Sequence, residues 1–292
     1  MAVTTKPCTL LVDNGSHRAE STLSLRRIAE NLSSRVDTLV HPVSLLHSTK
    51  ADLGDLGGVP AQIFEPFLKK QREKGQNAFL VVPFFFGHSA AIYEYLPQRI
   101  REMGESWPEL EVRIAPSMVR LDKAQDRRVA SILGELVLKE IKEQNLTHPA
   151  VTLVDHGTPR LAVNKVRNHV ARQLAEILID HASIVEASSM ERREGHEYAF
   201  NEPLLEDLLG RGEFRKDVVL SMLFISPGRH AGPGGDIAKI REEAERTHKG
   251  LRTFASDLFA THPEVVELLA ERFEEGLLGN PVVGEIPAPE VR

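Results

Sequence analysis

Cys8 is the only cysteine in 292 residues. With no second thiol the chain cannot close an internal disulfide, and thiolate clusters for metals are excluded. A reducing, cytoplasmic setting is the expected one. Any metal must therefore meet histidine, carboxylate or substrate atoms. Long hydrophobic runs are missing as well, since none approaches the roughly 20 residues a membrane-spanning helix needs. The opening "MAVTTKPCTLLVDNG" has no basic region followed by a long apolar core, so no secretory leader is expected. There is no excess of positive charge. Lys+Arg 36 against Asp+Glu 42 gives a formal charge of -6, which argues against a nucleic-acid partner. No G-x-x-x-x-G-K-[ST] loop occurs, and "AGPGGD" does not complete G-x-G-x-x-G. That stretch reads instead as a flap ahead of a helix that Asp236 could cap. "DHGT" has no G-x-S-x-G companion, which leaves a serine hydrolase without support.

What the chain does have is a repeat. "LLVDNGSHRAESTLSLRRIAENL" from Leu10 lies over "TLVDHGTPRLAVNKVRNHVARQL" from Thr152, with Asp13 on Asp155 and Arg18 on Arg160. "AFLVVPFFFGHSAAIYEYLPQRI" pairs with "VVLSMLFISPGRHAGPGGDIAKI", and "VRIAPSMVRLD" with "LRTFASDLFAT". Three matches in one order point to duplication. Within each half, short apolar strands alternate with stretches of helical periodicity, the pattern of a parallel sheet covered on both faces. The expectation is an α/β fold of two tandem Rossmann-like domains, residues 1–143 and 144–292, joined near "KEQNLTHPA", with a loosely ordered tail "GNPVVGEIPAPEVR".

Ligands of open parallel sheets bind beyond the carboxyl ends of the strands. In the second half that edge receives His156 after "AVTLVD" and Arg229 and His230 after "VVLSMLFIS". Two imidazoles on strands that could be neighbours make a more specific signal than either alone. Other histidines are read as structural: His169 falls in a helix, and His148 and His262 precede prolines. His196 is harder to set aside, because it follows the second strand of the same half. Arginines gather at the same edge, Arg160 after the first strand, Arg192 and Arg193 after the second, Arg229 after the third. Guanidinium groups pair carboxylates bidentately, so four on successive loops suit a polyanionic ligand despite the acidic net charge. Glu191 and Glu197 share the second loop and could bring a carboxylate to a metal or a proton.

At these residues the chain resembles the class II tetrapyrrole chelatases, specifically the sirohydrochlorin cobalt- and iron-chelatases of the CbiX/SirB type. "LVDHGTPR" is similar to the family's D-H-G-S motif, with Thr158 in place of serine, and "LFISPGRH" to its F-L-x-P-G-x-H motif. "AFNEPLLEDLL" resembles the family's Glu-Pro segment before a helix. The resemblance implies that His156 and His230 handle the metal and accept protons. It implies that Arg160, Arg192, Arg193 and Arg229 hold the carboxylates of the substrate. In the first half Asn14 and Ala91 occupy the histidine positions, which implies a degenerate site there. His88 lies nearby as an auxiliary, beside Glu191 and His196 in the other half.

The implied activity is insertion of a divalent ion, Co²⁺, Fe²⁺ or Ni²⁺, into sirohydrochlorin or a related tetrapyrrole in siroheme or cobalamin biosynthesis. The metal is then a substrate and no cofactor is permanently bound. A monomer or homodimer is expected, with a small-molecule partner and neither nucleic acid nor membrane. Imidazole accepts all three metals. A non-catalytic tetrapyrrole or metal carrier would use the same residues.

Overall fold

A computed structural model of the chain describes residues 6–282. The part of the expected loose tail from residue 283 onward, and the first five residues of the stretch read for a leader, lie outside the described residues.

The first repeat runs β1 (Cys8–Asp13), α1 (Ala19–Val36), β2 (Val40–Ser44), α2 (Phe64–Arg72), β3 (Ala78–Pro83), α3 (Leu96–Ser106), β4 (Glu111–Ile114) and α4 (Arg128–Glu143). The second runs β5 (Ala150–Asp155), α5 (Leu161–Ile177), β6 (Ile184–Ser189), α6 (Leu205–Leu208), β7 (Asp217–Met222), α7 (Asp236–Thr247), β8 (Arg252–Ala255) and α8 (Glu264–Leu277). The strands form two parallel sheets, β2-β1-β3-β4 and β6-β5-β7-β8, with the same order in each. Apolar runs become strands because both faces are covered: all six residues of β5 are buried. No helix among the described residues is long and apolar enough to cross a membrane.

The duplication holds down to single hydrogen bonds. Leu46 N–H reaches Asn14 O in the first repeat, as Glu191 N–H reaches His156 O in the second. Phe84 N–H donates to Val12 O and Leu223 N–H to Val154 O. Gly15 and Gly157 both take positive φ, 86° and 92°. A Cβ on either would collide with a backbone carbonyl oxygen of the following loop, Leu46 or Glu191. Only glycine permits that approach.

Packing divides the chain differently from the repeats. One compact unit comprises the residues up to Met118 and those from Val266 onward; the other is Val119–Val265. α4, from the first repeat, packs on α5 and β7 in the second unit. α8, from the second repeat, closes the first unit, where Gly276 lies against Leu80 and Ala115 and leaves no room for a Cβ. There the fully buried Arg272 donates to the carbonyls of Ser117 and Met118.

The two strand-end aspartates show how the copies have diverged. Asp13 and Asp155 each pair in register with a serine, Ser44 and Ser189. At the position of Arg167, which lies near Asp155, the first repeat has Leu25. Burial pushes the Asp13 carboxyl up to about 6, against the pull of the Ser44 hydroxyl and the Gly15 N–H. A carboxyl raised this way folds most favourably when protonated, so its stabilising state is held at low pH and lost as pH rises through about 6. Asp13→Asn, neutral throughout, should therefore gain on the native chain between about pH 4 and 6 and level off above. The full gain is up to about 3 kcal/mol, on the order of 5 °C in the melting point. Thermal melts from pH 4 to pH 8 check this; a gain independent of pH rejects it.

Candidate active site

Order 2-1-3-4 places the topological switch point of the second sheet between β5 and β7, and ligands of such sheets bind outside the carboxyl ends of the strands there. His156 leaves β5 at that point. β7 ends at Met222, earlier than the apolar run suggests, so His230 is carried on a loop and not on the strand tip. The loop is fixed from beneath. Phe259 N–H donates to Phe224 O at 3.0 Å and Ala260 N–H to Ile225 O at 2.9 Å. Ile237 N–H closes on His230 O at 3.1 Å, and Gly235 packs so tightly on the Arg229 and His230 carbonyls that a Cβ would lie 2.7 Å from each. The outcome is that His156 and His230 meet edge to face, ring centroids 4.5 Å apart and planes at 72°.

Each imidazole has one nitrogen engaged and one presented. His230 Nδ1 lies 2.7 Å from Asp236 Oδ2. A carboxylate can only accept, so Nδ1 carries the hydrogen and Nε2 keeps its lone pair, the arrangement found behind metal-binding histidines. The same hydrogen bond, then the charges of His230, Lys239 and Arg229, holds the Asp236 carboxyl below its usual range, with burial opposing. Asp236 is thus the first residue of α7, with Gly235 at the cap position, and its side chain orients His230 and does not cap the helix as expected. His156 Nδ1 faces Gly157 O at 3.1 Å, which fixes the same tautomer and leaves Nε2 free. Glu191 Oε1 stands 3.5 Å from that Nε2. Two acceptors facing each other across this gap suit a cation between them, a proton or a divalent ion. Gly157 makes this possible, because its close approach to the Glu191 carbonyl draws the two loops together.

Beneath His156 runs a buried relay that the sequence reading missed. Arg167 donates to Ser189 Oγ and, at 2.8 Å, to Asn201 O. Ser189 donates to Asp155 Oδ1 at 2.6 Å, and the same oxygen accepts Gly157 N–H at 3.1 Å. Burial raises the Asp155 carboxyl, opposed by the Ser189 hydroxyl, the Arg167 guanidinium and the Gly157 N–H. Arg167 is itself lowered by burial, with Asp155 pulling the other way. Asn201, fully buried, binds both the N–H and the carbonyl of Thr158, at 3.0 and 2.8 Å. "AFNEPLL" is therefore tied to the loop that carries His156. A signal existed: Arg167 falls on the buried stripe of α5, between Val166 and Val170, where a solvated charge has no place.

The expected arginines follow the expected strands but differ in their engagements. Arg192 pairs with Glu202 at 3.1 Å and donates to the Arg193 and Gly195 carbonyls of its own loop. Arg193 lies over the Tyr198 ring at 6.0 Å. Arg229 is 79% exposed, with Asp236 at 3.8 Å, and Arg160 is exposed just before α5. His196 opens a 3-10 turn, His196–Asn201, on the surface. His88 belongs to the other compact unit, stacked on Tyr93 at 4.8 Å. No group of three or more His, Cys, Asp or Glu side chains forms a metal cage among the described residues.

Residues 150–276 match the family model for CbiX. No curated protein sequence matches the chain. Among solved structures, SirB from Bacillus subtilis with Fe3+ aligns over 93% of this chain and 96% of its own, at TM-score 0.65 and 13% identity. The sirohydrochlorin chelatase SirB from Bacillus subtilis subspecies spizizenii in complex with cobalt gives 0.64 at 14% identity, over 93% and 95%. CbiX, described as the terminal enzyme for biosynthesis of siroheme in denitrifying bacteria, gives 0.57 at 14% identity, over 92% and 98%. At these identities the likeness is one of fold, and it extends over both halves of the chain.

Proposed function

We propose that this chain, whose residues 150–276 match the CbiX family model, is a class II chelatase of the CbiX/SirB type that inserts a divalent metal into sirohydrochlorin or a closely related carboxylated tetrapyrrole, in the cytoplasm. The observation that carries this reading is the His156–His230 pair, 4.5 Å apart at the switch point of the CbiX-like sheet, with the Glu191 carboxylate beside it.

Insertion exchanges one M²⁺ for the two pyrrolic protons of the ring, so the site must deliver a cation and take up two protons. His230 is suited to the first task, because Asp236 holds Nδ1 and turns Nε2 outward. His156 and Glu191 together offer a nitrogen lone pair and a carboxylate for a departing proton. A set this small binds the ion without enclosing it, and a four-ligand cage would retain what has to be released. Arg160, just after His156, and Arg229, just before His230, are both exposed and suit the peripheral carboxylates of the ring. Arg193 has the same role. Arg192, already paired with Glu202, acts chiefly by holding the Arg192–Gly195 turn in shape.

The test is spectroscopic. Sirohydrochlorin mixed in excess with the protein and Co²⁺, Fe²⁺ or Ni²⁺ in turn should change its absorption over many turnovers per chain, and the fastest ion identifies the metal. A change that stops at one equivalent would turn the assignment to a tetrapyrrole or metal carrier, and no change with any ion would remove both. In the same assay Arg229→Ala should raise KM by about 5- to 30-fold with kcat nearly kept, the loss of one charge-assisted contact of about 1–2 kcal/mol. An unchanged KM would reject Arg229 as a carboxylate ligand.

A further inference from the structure

The first unit carries a second histidine pair. His17 follows β1 and His47 follows β2 at the carboxyl edge of the first sheet, with ring centroids 5.7 Å apart and planes at 62°. Both side chains are exposed. They are not a worn copy of His156 and His230. The backbone register sets Asn14 on His156, and the hydrogen bonds of Phe84 and Leu223 set Ala91 on His230. In that same register His17 falls on Pro159 and His47 on Arg192.

The backbone that presents His47 is strained. Its φ of 65° and ψ of -33° make it the centre of a three-residue turn closed by Ser48 N–H to Leu46 O at 2.8 Å. Turns of this positive-φ kind are rare for residues with a side chain, cost on the order of 1–3 kcal/mol, and survive where their surroundings over-determine them. Here the surroundings are explicit. Ser48, 2% exposed, donates through Oγ to Ser44 Oγ at 2.8 Å and accepts the N–H of Ser16 at 3.1 Å. One buried hydroxyl thus ties the neighbour of His17 to the neighbour of His47. Gly15 adds to the fit, approaching the Leu46 carbonyl as only a glycine can.

We propose that His17 and His47 form a second binding site, for a divalent cation of borderline character such as Ni²⁺, Co²⁺ or Zn²⁺. Imidazole nitrogen selects such ions over Mg²⁺ and Ca²⁺, which seek oxygen. Water completes the coordination, and the strained turn holds the ligands together before the ion arrives. The site lies within the first unit and does not depend on the chelatase assignment.

The experiment uses the full chain and bare Ni²⁺, with no tetrapyrrole, followed by calorimetric titration. The His156→Ala/His230→Ala variant should still bind one equivalent, and adding His17→Ala and His47→Ala should remove it. Paramagnetic Ni²⁺ at sub-stoichiometric ratio should broaden the imidazole proton signals of His17 and His47 in that double variant. Retention of the equivalent without His17 and His47, or broadening confined to other imidazoles, overturns the proposal, as does a double variant that binds no Ni²⁺. Absence of tetrapyrrole turnover by the native chain, alongside intact Ni²⁺ binding at His17 and His47, would count against the chelatase reading alone.

Discussion

Replacing His156 or His230 with alanine is expected to lower kcat/KM for metal insertion by about 10²- to 10⁴-fold, the range for removal of a positioned acid–base group. The two imidazoles face one another at 4.5 Å, so they act as a unit on one ion and one ring. The double variant should accordingly be little worse than either single one. Stability should barely move. His156 is 46% exposed at its side chain and His230 29%, and substitutions at such sites usually cost about 0.5 kcal/mol or less. Asp236→Asn separates delivery from protonation, since it keeps the hydrogen-bond geometry to His230 Nδ1 and removes the charge behind it. Steady-state rates and thermal melts on the same preparations decide the matter. A double variant that turns over at the native rate places the chemistry elsewhere, and variants that lose activity together with their fold would show a structural role.

Arg167→Met should be the most destabilising single change at the site. The methionine keeps the length and apolar stem of the side chain but leaves Asp155 without its guanidinium, and the Asn201 and Phe200 carbonyls without their donor. Breaking a buried pair by removing one partner costs about 3–5 kcal/mol, on the order of 10 °C in the melting point. The sign of the pH dependence follows from Asp155, whose carboxyl burial already raises. With Arg167 gone it rises further, so the deficit is largest above the new folded value and shrinks as pH falls and the carboxyl takes a proton. Asp155→Asn in the Arg167→Met background should recover part of the loss at pH 8 and little at pH 4. A melting point within about 2 °C of native at pH 8, for a change worth under about 1 kcal/mol, would mean that Arg167 does not support Asp155.

Much of this architecture was legible because its causes are local. Strands such as "AVTLVD" are mostly apolar because the sheet is covered on both faces, and Gly157 follows where the chain must turn sharply. The order of the strands brought His156 and the loop that carries His230 to one edge. Other features depend on contacts between distant residues. Nothing in "AGPGGD" distinguishes a helix cap from a carboxylate aimed at His230, because the choice is made by a turn closed through Ile237 and His230. The place of Arg167 on the buried stripe of α5 marks it as unusual, but its partners Ser189 and Asn201 come from distant parts of the chain. Arg192 and Arg229 read alike in the sequence, and the Glu202 carboxylate and the carbonyls of its own loop set Arg192 apart. The His17–His47 contact needs a strained turn that no residue pattern announces.

The repeats and the compact units exchange one helix each. Because α4 is packed into the second core and α8 into the first, a cut at the join between Asn145 and Ala150 would leave two fragments, each short of the helix that seals its own sheet and carrying the one that seals the other. The two fragments are complementary, like two hands each holding the other's glove.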